Sequence, residues 1–223
     1  MKILAFDTST EYCSLALMLD SKIISKEILA GQRHSDLLLP MTQQILTEAG
    51  LALTQLDGIA FGSGPGSFTG LRIACGVAQG LAFAANLPVV GISTLKAVAQ
   101  KNGNQKIIVA LDARMGEIYH AAYTRSAGNW ETISAPTVCL PQQAPLLSGD
   151  NWIGCGNGFD TYPKELSHLY NGGLLRIDYG LYPHAREIVQ LAAQEFTNES
   201  SLNPMDAVPT YIRNKVALKE NER

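Results

Sequence analysis

An apolar segment, Asp57 to Phe61, runs into Gly62-Ser63-Gly64-Pro65-Gly66-Ser67-Phe68-Thr69-Gly70, and a long apolar helix candidate follows. A strand that passes through a glycine-rich turn into a helix commits the chain to an α/β architecture. Backbone N–H groups at such a turn can cradle an anion. The charged partners that phosphate chemistry uses are absent, because no Asp or Glu occurs from Gly58 through Leu111 and the first lysine after the loop is Lys96. A P-loop needs Lys-Ser/Thr after the glycines, where this chain has Phe68-Thr69-Gly70. A dinucleotide fingerprint needs an acidic residue about 20 positions downstream, and the acid-free span excludes it. Two readings of the loop stand: a tight turn with close helix approach, or a residual nucleotide or anion contact.

The rest of the first half reads in sequence order. Ile3 to Phe6 is an apolar run ending at Asp7; Cys13 to Leu19 and Lys22 to Leu29 follow after short polar turns. Three strands with tight turns form an antiparallel meander. Leu37, Met41, Ile45 and Ala49 recur at helical spacing, with Ser35 as N-cap candidate and Gly50 as stop. The helix after the glycine loop ends at Asn86, before Pro88, and Leu87 to Ile92 reads as another strand.

The second half repeats this opening. Ile107 to Leu111 is an apolar strand ending at Asp112, a polar turn follows, and Ile118 to Tyr123 is again apolar. Strand, Asp, polar turn, strand thus occurs twice. The pattern implies a duplicated α/β unit with a cleft between the halves. The boundary is placed in the polar loop 101–105, giving lobes 1–103 and 104–223. Residues 136–145, with three prolines, read as irregular, and Ala185, Ile188, Leu191, Ala192 and Phe196 trace one face of a late helix.

Composition narrows the function. The net charge of −3 and the lack of a basic stripe argue against autonomous nucleic-acid binding. Arg213, Lys215, Lys219 and Arg223 are the nearest approach, and they read as a solvated terminal helix. The four cysteines form no C-x-x-C pair, and Cys13 and Cys75 lie in apolar runs, as in a reducing compartment. Asp7 comes too early for a signal peptide, and no apolar run approaches the ~20 residues of a membrane span. The expectation is a cytoplasmic protein that does not engage a membrane.

Chemistry-bearing clusters are few. His34, His120, His168 and His184 are isolated, without ligand spacing. Ser63 lacks the spacing of a nucleophile elbow, and Cys75 lies mid-helix among small residues. Asp7 and Asp112 are the best carboxylate pair. Facing one cleft with Thr8, Gly64 and Gly66 they could hold Mg²⁺-ATP; alternatively each bonds its own turn backbone. The helix after the loop carries two small-residue stripes, Gly70/Ala74/Ala78/Ala82 and Gly76/Gly80/Ala84. We read a self-associating surface from Leu37, Met41 and Ile45 on one helix and Gly70, Leu71, Ala74 and Ala78 on the other.

The residues that carry a family likeness are Ile3 to Ser9, His34-Ser35-Asp36, Gly64 to Arg72, Asp112-Ala113-Arg114 and Tyr211-Ile212-Arg213. Together they closely resemble the bacterial TsaB (YeaZ) family over essentially the whole chain. The resemblance implies an ASKHA-type fold of two RNase H-like lobes, as in actin and sugar kinases. It implies a non-catalytic role in making threonylcarbamoyladenosine in tRNA, beside a TsaD-type transferase and a TsaE-type ATPase. It further implies a homodimer when alone and tRNA contacts made mainly by other subunits. No tightly bound cofactor is expected, with a nucleotide such as ATP at the partner interface. TsaD-type proteins carry Gly-Val-Asn-His-Ile-Glu-Gly-His with two metal-holding histidines, where this chain has Gly91-Ile92-Ser93-Thr94-Leu95-Lys96-Ala97-Val98. Thr94 and Val98 take the histidine positions, and neither suits a transition metal. The competing readings are an ATP-dependent phosphotransferase, motivated by Asp7, Asp112 and the glycine loop, and a glycoprotease-like metallopeptidase.

Overall fold

The computed structural model describes residues 1–198 and 200–213. Lys215, Lys219, Arg223 and the rest of the 219–223 tail lie outside the described residues. In chain order the elements are β1 (Lys2–Asp7), β2 (Tyr12–Leu19), β3 (Lys22–Leu29), α1 (His34–Glu48), β4 (Gly58–Gly64), α2 (Phe68–Ala85), β5 (Val89–Ser93) and α3 (Thr94–Asn102). They continue as β6 (Lys106–Arg114), β7 (Glu117–Ser126), β8 (Asn129–Cys139), β9 (Trp152–Cys155), α4 (Asn157–Thr161), α5 (Pro163–Leu169), β10 (Leu174–Asp178) and α6 (Ala185–Thr197).

The strands form two five-stranded sheets, ordered β3-β2-β1-β4-β5 and β8-β7-β6-β9-β10. Pairing senses agree position by position. β1 and β6 each take an antiparallel neighbour on one side, β2 or β7. Each takes a parallel neighbour on the other, β4 or β9. The strand-Asp-turn-strand repeat seen in the sequence is therefore a duplicated lobe, and the fold is the α/β, ASKHA-type arrangement expected. Loop chemistry agrees between the halves too. Asp7 Oδ1 accepts from the Ser9 N–H at 3.1 Å, and Asp112 Oδ1 accepts from the Arg114 N–H at 2.9 Å. Both are Asx turns, closed two residues on.

Each sheet is covered on both faces, so side-chain alternation decides which core each residue joins. On β1, Leu4 and Phe6 enter the core beneath α1 and α2, while Ile3 and Ala5 enter the core beneath α6. On β6, Ile107, Val109 and Leu111 meet α3, while Ile108 and Ala110 meet α4 and α5. The lobes exchange helices. α3 follows the first sheet but packs its Leu95, Val98 and Ala99 on the second. α6 follows the second sheet but packs Ala185, Ile188, Val189 and Ala192 on the first. The expected second lobe, 104–223, therefore differs from the observed packing at its C-terminal end. α6 leaves that lobe because the first sheet would otherwise show Ile3, Ala5, Ala60 and Val90 to water, a loss of roughly 25 cal/mol per Å² of apolar surface.

Local details also depart from the sequence reading. α1 starts at His34 with Arg33 as its N-cap residue and no side-chain cap, so Ser35 lies inside the helix and Pro40 falls in its second turn. β8 runs through the proline-rich stretch to Cys139. It is an edge strand whose register slips beside Ser134, and an edge tolerates the missing N–H of Pro136. β9 and β10, only 4 and 5 residues long, were too short to show a period.

Candidate functional site: the interlobe cleft and the α2 helix

A cleft of about 890 Å³ lies between the lobes. Its walls come from the turn after β1, the glycine turn, the β6–β7 turn and the segment Thr210 to Arg213. The first three walls are strand-end loops, where a duplicated fold brings its two halves together, and the fourth is an irregular segment laid across them.

The glycine turn is held by backbone contacts on nearly every side. The Ser67 N–H donates to the Ser9 carbonyl at 2.8 Å, and Ser67 Oγ accepts from the Gly70 N–H at 3.3 Å as the N-cap of α2. Two of the N–H groups that could cradle an anion are thus already used. The glycines explain themselves by close approach. A Cβ at position 70 would stand 1.8 Å from the Thr8 carbonyl oxygen, and one at 66 would stand 2.7 Å from the Ser9 Cβ. Gly64, at φ +124°, adopts a left-handed conformation and lies under the Thr210 carbonyl. Thr8, itself fully buried, donates its hydroxyl to the Gly70 carbonyl at 2.7 Å. Thr8, Gly64, Gly66 and Gly70 thus lock the turn to the β1 loop and to the chain's C-terminal segment.

Asp7 and Asp112 do not form a facing pair. Asp112 lines the cleft, with Oδ2 3.2 Å from the Arg114 guanidinium and the Tyr162 hydroxyl 3.5 Å from Oδ1. Asp7 is 1% exposed and lies beneath the cleft floor. Its Oδ1 accepts from the Ser9 hydroxyl at 2.8 Å, whereas Oδ2 has no partner among the described residues. A Cβ on Gly62 would fall 1.9 Å from that oxygen, so the carboxyl is pressed flat against bare backbone. Burial raises its pKa from an ordinary 3.8 to about 7, against the smaller lowering by the Ser9 bonds. A Mg²⁺-ATP clamp between Asp7 and Asp112 is therefore not assembled. His34, the remaining motif histidine, lines the cleft, with Nε2 3.2 Å from the Tyr12 carbonyl.

The interface residues need a correction. Ile45, Leu71, Ala74 and Ala78 are at most 1% exposed, and Gly70 is buried. All five belong to the interior of this chain. Their stripe seats α2 on the first sheet and α1, which is why it is small. Leu37 and Met41 are half-buried against the first-lobe core. The other stripe is the free one: Gly76 and Gly80 have nothing within 4 Å of where a Cβ would stand, and Ala84 is exposed. Ile73, Val77 and Leu81 flank it half-buried, and Phe83 is 72% exposed. α2 has the length and hydropathy of a membrane span, yet Ala74, Ala78 and Ala82 sit fully buried against the sheet.

The positions aligned with the transferase histidines are also interior. Thr94 and Val98 have no exposed surface. The Thr94 hydroxyl donates to the Pro65 carbonyl at 2.5 Å, bracing the glycine turn from below, and Val98 packs in the second-lobe core. No group of three or more potential metal ligands occurs among the described residues. Sequence reasoning assigned no role to Phe68, Arg72, Tyr211 and Glu117 and read Arg213 into a solvated terminal helix; all five instead meet at the cleft mouth, where Arg213 lies outside any helix with its side chain only 15% exposed and paired with Glu117. The prolines at 204 and 209 and the Tyr211-Ile212-Arg213 motif were the signals that an irregular segment would run there.

The TsaD family model, described as tRNA N6-adenosine threonylcarbamoyltransferase, matches residues 21–152. The tRNA threonylcarbamoyladenosine biosynthesis protein TsaB of Escherichia coli K12 is 41% identical, covering 99% of this chain and 98% of its own. The protein of the same name in Haemophilus influenzae is 38% identical, covering 99% and 97%. Among solved structures, YeaZ from Pseudomonas aeruginosa superposes with a TM-score of 0.87 at 36% identity, covering 94% of this chain and 99% of that one.

Proposed function

Because this chain belongs to the TsaB (YeaZ) family, akin to the TsaD transferases, we propose that it is a non-catalytic subunit of the tRNA threonylcarbamoyladenosine machinery that docks on and activates a TsaD-type transferase. The observation that carries this reading is the fate of Thr94 and Val98. Where the transferase family holds its metal, this chain has one hydroxyl committed to a backbone carbonyl and one core aliphatic. Asp7, the other candidate for chemistry, is sealed under Gly62.

The docking face is the exposed stripe Gly76/Gly80/Ala84 with Leu37, Met41, Ile73, Val77, Leu81 and Phe83 around it. Small residues let a partner helix approach closely, and the half-buried aliphatics supply the apolar area. The same face pairs two copies when the chain is alone, so homodimer and heterodimer compete. A TsaE-type ATPase joins the pair, ATP binds at the partner interface, and tRNA is held mainly by the other subunits, in the cytoplasm. Activation is a population effect: a partner that prefers the active state by about 3 kcal/mol raises a minor active population more than a hundredfold.

Reconstitution with purified transferase and ATPase tests the reading. Gly80→Arg should leave the fold intact and abolish partner binding and modification together, while Asp7→Asn should retain both. Loss of modification by Asp7→Asn with binding intact would instead assign chemistry to this chain's own site. ATP turnover by the isolated chain would favour the phosphotransferase reading.

A further inference from the structure

The C-terminal segment ties the two lobes together across the cleft mouth. It first runs along α2, where the Ala207 carbonyl accepts from Gln79 Nε2 at 2.9 Å and from Cys75 Sγ at 3.3 Å. The Thr210 N–H then donates to the Ser63 carbonyl at 2.7 Å. Its own carbonyl covers Gly64 so closely that a Cβ there would lie 2.6 Å away. The Tyr211 ring lies 5.3 Å from that of Phe68. The Tyr211 hydroxyl accepts from Arg72 Nε at 2.9 Å, and the Arg72 guanidinium sits 3.8 Å over the Phe68 ring. All these contacts are to the first lobe. Among the described residues of the segment, Arg213 makes the hydrogen bonds to the second lobe, pairing with Glu117 and placing its guanidinium 3.3 Å from the Met115 sulfur and 3.5 Å from the Arg114 carbonyl.

We propose that residues 207–213 are a strap that latches the lobes: it holds the cleft at a fixed opening and walls off its mouth, and the cleft widens only when Arg213 releases Glu117. The lobes are joined elsewhere by α3 packed on α6, which leaves a packed axis on which they turn once the strap lets go. The latch is strong because Arg213 and Glu117 are largely shielded, with 15% and 33% of their side chains exposed. It is also releasable, because among the described residues the hydrogen bonds to the second lobe come from one side chain while Thr210 and Tyr211 stay anchored on the first lobe. The strap stands independently of the docking reading, since its contacts are all within this chain.

Hydrogen exchange of the full chain tests the latch. The glycine turn, residues 64–70, touches neither Arg213 nor Glu117, so it reports strap release and not local loss. In Glu117→Gln and in Arg213→Ala, exchange should rise about tenfold both at residues 64–70 and at residues 112–117, consistent with loss of one charge-assisted bond. Strands β1 and β9 should be unchanged. The charge swap, Glu117→Arg with Arg213→Glu, should return both turns toward wild-type exchange. A rise confined to residues 112–117 and 207–213, with the glycine turn unaltered in both single variants, would overturn the proposal and leave the strap a passive tail.

Discussion

Replacing Asp7 by Asn should stabilise the protein at neutral pH and leave it unaltered at acid pH. The carboxamide has the same shape and keeps Oδ1 as acceptor for the Ser9 N–H and hydroxyl. Only the ionisable oxygen against Gly62 changes. Burial raises the Asp7 pKa from 3.8 to about 7, so the folded state holds a proton that the unfolded state gives up over that range. The unfolded chain then binds fewer protons than the folded one, and stability falls as pH rises from about 4 to about 7. At about 1.36 kcal/mol per pKa unit, the roughly three-unit shift amounts to about 4 kcal/mol. Urea unfolding of wild type and variant from pH 4 to pH 8 measures it. Taking the difference between the two proteins cancels every other titrating group. The variant's advantage should grow by about 4 kcal/mol between these limits, through the window set by the two pKa values. A difference that stays flat across pH would refute the reasoning, because Asp7 would then be ionised throughout with its charge compensated.

His120 carries the opposite sign. It is fully buried, its Nε2 lies 3.0 Å from the Tyr170 hydroxyl, and burial lowers its pKa from 6.5 to about 4. The ring should remain neutral by NMR down to about pH 4, and its contribution to stability, complete above pH 6.5, should fade as pH drops through that window. Gly70→Ala places a methyl 1.8 Å from the Thr8 carbonyl oxygen, a backbone atom that cannot swing aside; about 1–3 kcal/mol of stability should be lost on urea unfolding, as for other overpacked sites. Gly76→Ala meets open space and should gain up to about 1 kcal/mol from helix propensity. A loss at position 76 with a gain at position 70 would mean that the two faces of α2 have been assigned the wrong way round.

The sequence alone determined the pattern of elements and the duplication. Continuous apolar runs, their ends at Asp7 and Asp112, and the glycine turn before α2 are local signals, written in neighbouring residues. The absence of ligand spacing around the histidines was legible for the same reason. Two small-residue stripes on α2 were visible too, and the surface was read onto Gly70/Ala74/Ala78, the buried one, because it and Gly76/Gly80/Ala84 are equally apolar. Only the tertiary structure decides that the first meets the sheet and the second meets water. It alone sends α6 back to the first lobe, where a bare apolar sheet face needs covering. It also buries Asp7 under Gly62 when the chain order would equally permit a cleft-facing carboxylate. The strap is the clearest case of what local reading misses. Tyr211 and Arg213 acquire a role only by meeting Arg72 and Glu117 across 139 and 96 positions of chain, and such pairings are made by the packing of whole lobes.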